Sequence, residues 1–295
     1  MAGPPHLVIE PDAQCVARTA AQRIAVWAGQ AIATRSRFSI ALAGGSTPRA
    51  TYQRLASGPN KDRIDWTRVH VFWGDERCVS PQDPDSNYGM AYASLLSKVP
   101  IPDQNVHRIQ GEADAATAAQ AYADELQSFF GADWPRFDLV LLGVGNDGHT
   151  ASLFPSSAVL HERERAVVAV TADDQDRLAC RVTLTVPAIN TARVVMFLVT
   201  SGQKASMVQR VLEGPPGCFP AQFIRPVGGE LYWLLDAAAA SKLSAHILQN
   251  DMSGLPSCIE SRSGFNVPID VTRGTAAHPG PPDEHKRRGP KRRPD

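Results

Sequence analysis

Short apolar runs alternate with longer amphipathic segments along most of the chain. Strands are predicted at Phe38–Ala43, Val69–Trp73, Phe137–Leu142, Ala166–Val170, Arg181–Val186, Val194–Thr200 and Leu231–Leu235. These runs are rich in β-branched and aromatic residues, and several are too uniformly apolar for a half-exposed strand. Helices are predicted over residues 12–35, where Ala, Ile, Val and Trp27 recur at helical spacing, and over Pro48–Ala56, Tyr88–Leu96, Ala113–Phe130, Gln203–Leu212 and Ala237–Leu248. Such alternation predicts a mostly parallel sheet with helices on both faces, a Rossmann-like, three-layer α/β architecture. The order of elements shows no internal repeat.

The pattern stops near residue 250. Residues 1–250 therefore form the expected single α/β domain, and residues 251–295 a Pro/Gly-rich tail expected to be disordered. That tail ends in His285-Lys286-Arg287-Arg288-Gly289-Pro290-Lys291-Arg292-Arg293. The basic run 285–293 is the single hint of a nucleic-acid partner. The short run Val267–Val271 adds at most an edge strand.

Bulk composition narrows the class. Hydrophobic residues make up 43% and charged residues 20%, with a formal net charge of +0. A balanced charge supplies no general field for nucleic acid or an anionic membrane. The cysteines (Cys15, Cys78, Cys180, Cys218, Cys258) are scattered and odd in number, which argues against a disulfide framework or zinc site and for a reducing, cytoplasmic setting. Neither a signal segment nor an apolar run of membrane-spanning length is present.

Four strand-to-loop junctions carry candidate chemistry. Ala43-Gly44-Gly45-Ser46-Thr47-Pro48 runs from a strand into a helix. Pro48 suits the first helical position, and Thr47 before it can cap. The glycines let backbone N–H groups approach an anion at the helix start, and Ser46 and Thr47 add hydroxyls. The absence of a Gly-Lys-Ser/Thr sequence removes a nucleotide triphosphate from consideration. Read locally, the same turn also fits a capped junction with no ligand.

At Trp73-Gly74-Asp75-Glu76-Arg77, Arg77 can meet phosphate or carboxylate and Asp75 can bond sugar hydroxyls. A solvated turn is the plainer alternative. The following Asp83–Tyr88 reads as a loop ending in a helix cap, able to fold over a pocket. At the fourth junction, Thr200-Ser201-Gly202-Gln203-Lys204 puts Lys204 in a first helical turn. There a cation opposes the helix dipole unless an anion shares the site.

The third junction, Gly143-Val144-Gly145-Asn146-Asp147-Gly148, matches G-x-G-x-x-G literally. A dinucleotide reading fails there, because Pro155 interrupts the helix that should follow and Asp147 repels a pyrophosphate. Asp147 is better explained by His149, two positions on and on the same side of an extended loop. A carboxylate that orients a histidine is a general-base arrangement. Imidazoles titrate near pH 6.5 as a class, so such a base is partly free near neutrality. No G-x-S-x-G elbow competes with this reading.

Five strings occur in the order seen in one family: Ala-Gly-Gly-Ser-Thr-Pro, Gly-Asp-Glu-Arg, Gly-Val-Gly-Asn-Asp-Gly-His-Thr-Ala-Ser-Leu-Phe-Pro, Arg181-Val182-Thr183-Leu184-Thr185 and Ser-Gly-Gln-Lys-Ala. In these the chain resembles the 6-phosphogluconolactonases, over roughly residues 5–248. The resemblance implies an α/β domain related to the aminosugar-6-phosphate deaminases and isomerases. It also implies hydrolysis of 6-phospho-glucono-1,5-lactone in the pentose phosphate pathway, with no cofactor and no metal. His149 then activates water beside Asp147. Gly44, Gly45, Ser46 and Thr47 belong to the phosphate end, while Asp75, Arg77, Arg181 and Lys204 complete the pocket. The resemblance leaves open which cation meets phosphate and which the lactone carbonyl. The expected partner is the small sugar phosphate alone, bound by a monomer. Two competing readings are the sister deaminase or isomerase chemistry and a non-catalytic sugar-phosphate sensor. The residues Thr150–Pro155 and the arginine of Gly-Asp-Glu-Arg favour the lactonase over the deaminase. The intact Asp147/His149 pair argues against the sensor.

Overall fold

The apolar runs Phe38–Leu42 (β2) and Leu139–Leu142 (β5) are buried at every position and lie side by side at the centre of a six-stranded sheet. The computed structural model describes residues 3–131, 134–171 and 180–249. Around that centre the sheet adds Val69–Trp73 (β3) beside β2, and Val194–Val199 (β8), Glu230–Asp236 (β9) and His6–Glu10 (β1) beyond β5. The order is β1-β9-β8-β5-β2-β3, and every pairing is parallel. A parallel sheet must bury both faces, which is why its strands read as continuous apolar runs.

Helices flank the sheet. They are Ala13–Arg35 (α1), Ser46–Leu55 (α2), Gly58–Arg63 (α3), Asn87–Ser94 (α4), Ala115–Phe130 (α5), Val186–Asn190 (α6), Ala205–Glu213 (α7) and Ala245–Gln249 (α8). The Asp12 carboxylate caps α1 by accepting from Cys15 N at 2.8 Å. Large side chains fill the core, with Phe197 stacked on Trp233 at 4.1 Å and Phe72 set edge-on to Phe137 at 5.4 Å.

Three expectations need correction. The predicted strands near Ala166 and Arg181 do not join the parallel sheet. They are Val167–Thr171 (β6) and Cys180–Leu184 (β7), and they form a separate antiparallel sheet with the short strand Asp75–Arg77 (β4). The helix predicted over Ala237–Leu248 is mostly turn, with only Ala245–Gln249 helical. Its alanines favour helix, but the Asp236 carboxylate at the end of β9 accepts from Ala239 N at 2.7 Å and from Ser201 N at 3.0 Å. The first bond is a local cap on one turn, the second ties the end of β9 to the turn after β8, and helix propensity is too weak a prior to carry a regular helix onward by itself. Pro48 is the third residue of α2, not the first, and Thr47 does not cap. Gly45 takes the cap position with φ +104° and no side-chain cap bond. That left-handed angle lets the helix begin early, and the fixed φ of proline is tolerated throughout a first turn. The strand β1 was missed. The predicted tail, residues 251–295, lies outside the described residues. Among those residues no helix is long and apolar enough to cross a membrane.

Candidate active site

The strand order reverses between β2 and β5: the chain runs outward one way to β3 and the other way to β8 and β9. In open α/β sheets the crevice beyond the carboxyl ends at such a point holds the ligand. Here it is a cavity of 420 Å³, large enough for a sugar phosphate. Every residue that the sequence singled out for the pocket lines it, except Asp147, which reaches it through His149.

Two buried tyrosines hold the strand ends that open the cavity. The Tyr52 hydroxyl accepts from Ala43 N at 2.9 Å and donates to Ala43 O at 2.8 Å. The Tyr122 hydroxyl does the same for Trp73, at 2.8 and 3.0 Å. Each phenol therefore satisfies both backbone groups of the residue just before a glycine junction, where no neighbouring strand is left to do so. Burial pushes both phenols above the usual tyrosine range. Tyr52→Phe and Tyr122→Phe are each expected to lose about 1–3 kcal/mol of stability, because each leaves a buried N–H and C=O unpaired. Urea unfolding measures it, and a loss below ~0.5 kcal/mol would show that water replaces the hydroxyl.

Beyond β2, the first turn of α2 carries free N–H groups with no side-chain cap. The Thr47 hydroxyl instead meets the Thr200 hydroxyl at 2.8 Å, tying this turn to the end of β8. Asn87 lies against Gly44 so closely that a Cβ there has no room.

Beyond β3 the chain leaves the parallel sheet and forms β4. Asp75 is buried and accepts from the Ser152 hydroxyl at 2.6 Å. Glu76, also buried, is no solvated turn residue. Its carboxylate accepts from Arg77 N at 2.8 Å, Asn87 N at 2.7 Å, Tyr88 N at 2.7 Å and the Ser86 hydroxyl at 3.1 Å. Burial pushes its carboxyl up, and these donors oppose the shift. The result is a clamp that folds the loop of residues 78–86 back and delivers Asn87 to the cavity. The predicted cap is present, with Ser86 Oγ accepting from Gly89 N at 3.0 Å.

Arg77 in β4 stands directly opposite Arg181 in β7, and both line the cavity. Like charges in that register repel. Their Nε atoms are buried and unpartnered within the described residues. An anion between the two arginines would relieve both problems.

Beyond β5, the loop with the literal G-x-G-x-x-G makes turns, and the next helical turn comes only at Ala158–His161. His149 Nδ1 lies 2.6 Å from Asp147 Oδ1, and the same oxygen accepts from His149 N at 3.1 Å. Burial of Asp147 favours the neutral acid, but the His149 amide and ring outweigh it and hold the carboxyl below the usual range. Gly145 passes so close to the imidazole and the carboxylate that a Cβ there would collide with both. Gly148, at φ +84°, packs on Phe219.

Beyond β8, Ser201 adopts φ +88°, and the Asp236 carboxylate pins its amide. Lys204 lies in a short 3₁₀ turn just before α7 and donates to Asn146 Oδ1 at 2.7 Å. Desolvation pushes the Lys204 ammonium down and the nearby Asp147 charge pushes it up, with a net lowering.

Sequence reasoning missed Tyr52, Glu76, Asn87, Ser152 and Thr200 as site-building residues. Only Glu76 left a local sign, a second carboxylate after an apolar strand. Among the described residues, no group of three or more His, Cys, Asp and Glu side chains is arranged to hold a metal ion.

Residues 11–233 match the family model described as glucosamine-6-phosphate isomerases/6-phosphogluconolactonase. A 6-phosphogluconolactonase of Synechocystis sp. is 44% identical over 220 residues, which span 72% of this chain and 88% of that protein. One of Homo sapiens is 41% identical over 217 residues, spanning 71% and 82%. The solved 6-phosphogluconolactonase from Trypanosoma brucei aligns with a TM-score of 0.73 at 32% identity, covering 83% of this chain and 100% of that one.

Proposed function

The chain belongs to the family of glucosamine-6-phosphate isomerases and 6-phosphogluconolactonases, and from that membership we propose that it hydrolyses 6-phospho-D-glucono-1,5-lactone to 6-phospho-D-gluconate in the oxidative pentose phosphate pathway. The observation that carries the reading is the 2.6 Å contact of His149 Nδ1 with Asp147 Oδ1, at the rim of a cavity walled by three cations. With Nδ1–H donated to the carboxylate, Nε2 is the basic nitrogen.

In the proposed reaction, Nε2 takes a proton from water as the water oxygen attacks the lactone carbonyl carbon. Asp147 stabilises the imidazolium that forms. The carbonyl oxygen becomes an oxyanion, which a facing cation or backbone N–H stabilises. Collapse breaks the bond to the ring oxygen, and the imidazolium returns its proton to that leaving oxygen. The product acid then ionises in water. No covalent intermediate is needed. Free N–H groups at the start of α2, with Ser46 and Thr47, suit the phosphate. Arg77, Arg181 and Lys204 share the charges of the phosphate and the oxyanion, and Asp75, whose Oδ2 is taken by Ser152, offers Oδ1 to the sugar hydroxyls. This anchoring places the ester beside the base and lowers the entropic part of the barrier.

The test is hydrolysis of freshly generated lactone above its spontaneous rate, with the unphosphorylated lactone beside it. Acceleration confined to the phosphorylated substrate is expected. Binding without turnover would redirect the reading to aminosugar-6-phosphate chemistry. For Lys204→Ala the expected result is a KM raised about tenfold, the loss of about 1.4 kcal/mol of anion binding. An unchanged KM in steady-state kinetics would remove Lys204 from substrate binding.

A further inference from the structure

Cys78 directly follows Arg77, and Cys180 directly precedes Arg181. Antiparallel pairing continues through them, with Cys78 N donating to Cys180 O at 3.1 Å. Side chains alternate along strands, so the two thiols lie on the face opposite the two arginines. The sulfurs are 2.7 Å apart, with Cys78 Sγ donating to Cys180 Sγ. That separation exceeds the ~2.05 Å of an S–S bond by less than an ångström. Both residues are half-buried, so small reagents can reach them, whereas Cys15 is buried. Burial, reinforced by the neighbouring sulfur, pushes the Cys78 thiol up to about 12. The Cys78 proton is directed at the Cys180 sulfur, so the two sulfurs are already aligned with each other.

We propose that Cys78 and Cys180 form a reversible disulfide, a covalent staple across β4 and β7 that fixes the register of Arg77 against Arg181. The oxidant is a low-molecular-mass disulfide. One of the two cysteine sulfurs attacks one of its sulfurs, forms a mixed disulfide and releases the first thiol. The other cysteine sulfur then attacks the cysteine sulfur of that mixed disulfide and releases the second. Two protons leave the protein with the two released thiols, and two electrons pass to the external disulfide. The paired strands already hold the two residues opposite each other.

The consequence follows from the arginine pair. Without an anion, the like charges of Arg77 and Arg181, cross-strand neighbours in the last register pair of β4, disfavour that pairing. A crosslink one residue away resists that, so less ordering is left for ligand binding to supply. The oxidised form is therefore expected to bind phosphorylated substrate more tightly than the dithiol form.

The experiment treats the full chain with excess oxidised glutathione, blocks the remaining thiols and maps the peptides. The expected result is a Cys78–Cys180 crosslinked peptide, lost on treatment with dithiothreitol and absent in Cys78→Ser and Cys180→Ala. Oxidation should raise the Tm by about 5 °C, since the closed loop is long. It should also lower KM by about two- to fivefold through preorganisation. Persistent glutathione adducts with no crosslink would overturn the proposed disulfide. Equal KM values for the crosslinked and reduced forms would overturn its coupling to the pocket. The crosslink and Tm readouts do not depend on the lactonase reading, so failure of one is distinguishable from failure of the other.

Discussion

Replacing His149 by alanine is expected to lower kcat by about 10²–10⁴-fold while affinity for 6-phosphogluconate stays nearly unchanged. The imidazole sits at the rim of the cavity and its Nδ1 is committed to Asp147, so it contributes little to holding the phosphate end. Binding rests on α2, the arginine pair and Lys204. Asp147→Asn is the informative companion. An amide can still accept the Nδ1 proton, but it carries no charge to stabilise the imidazolium, so kcat should fall while KM holds. Low pH acts on the same contact. The Asp147 carboxyl lies below its usual range, so it stays ionised through weakly acidic conditions, and His149 loses this anchor only as pH falls through that lowered range. Near-normal kcat in His149→Ala would remove this residue as the base and with it the proposed mechanism.

The second large effect is expected at Glu76. Alanine there should cost about 3–5 kcal/mol of stability, because three backbone N–H groups and the Ser86 hydroxyl lose their common acceptor in a buried site. Water entering the vacated space recovers part of the loss and limits it to this range. Glu76→Gln separates charge from shape. It relieves the cost of burying a carboxylate, yet it turns an amide nitrogen toward donors that need an acceptor. About half the alanine loss is expected. Denaturant unfolding measures both variants. Below the melting range, the alanine variant should also show a raised KM, since Asn87 and Arg77 are held through the same clamp. Wild-type stability in Glu76→Ala would mean that the loop keeps its fold without the carboxylate.

The central strands were legible because their physics is local. Phe38–Leu42 and Leu139–Leu142 are buried at every position, and a strand buried on both faces must be apolar throughout. The two halves of the base were legible for a similar reason. Asp147 and His149 are two residues apart on one loop, so their contact needs no knowledge of the rest of the fold. The glycine junctions also announced themselves, since Gly45 and Gly148 take backbone angles that other residues resist.

Less legible was anything decided by a distant partner. Residues Ala237–Leu248 carry strong helix formers, yet most of them turn, and the Asp236 carboxylate just before them is engaged by Ser201 from across the fold. Asp75 reads as a free pocket carboxylate until Ser152 is found 2.6 Å away.

The sequence by itself determined the α/β class, the strand ends that bear chemistry, and the pairing of a carboxylate with an imidazole. Each of these is written in hydrophobic period, glycine placement or short spacing. Only the tertiary structure decided that β4, β6 and β7 form their own antiparallel sheet, that Arg77 faces Arg181, and that Glu76 is a clamp. Periodicity states how much of each side chain is buried, but not against what. That choice is made when the whole chain packs and every buried donor must find an acceptor.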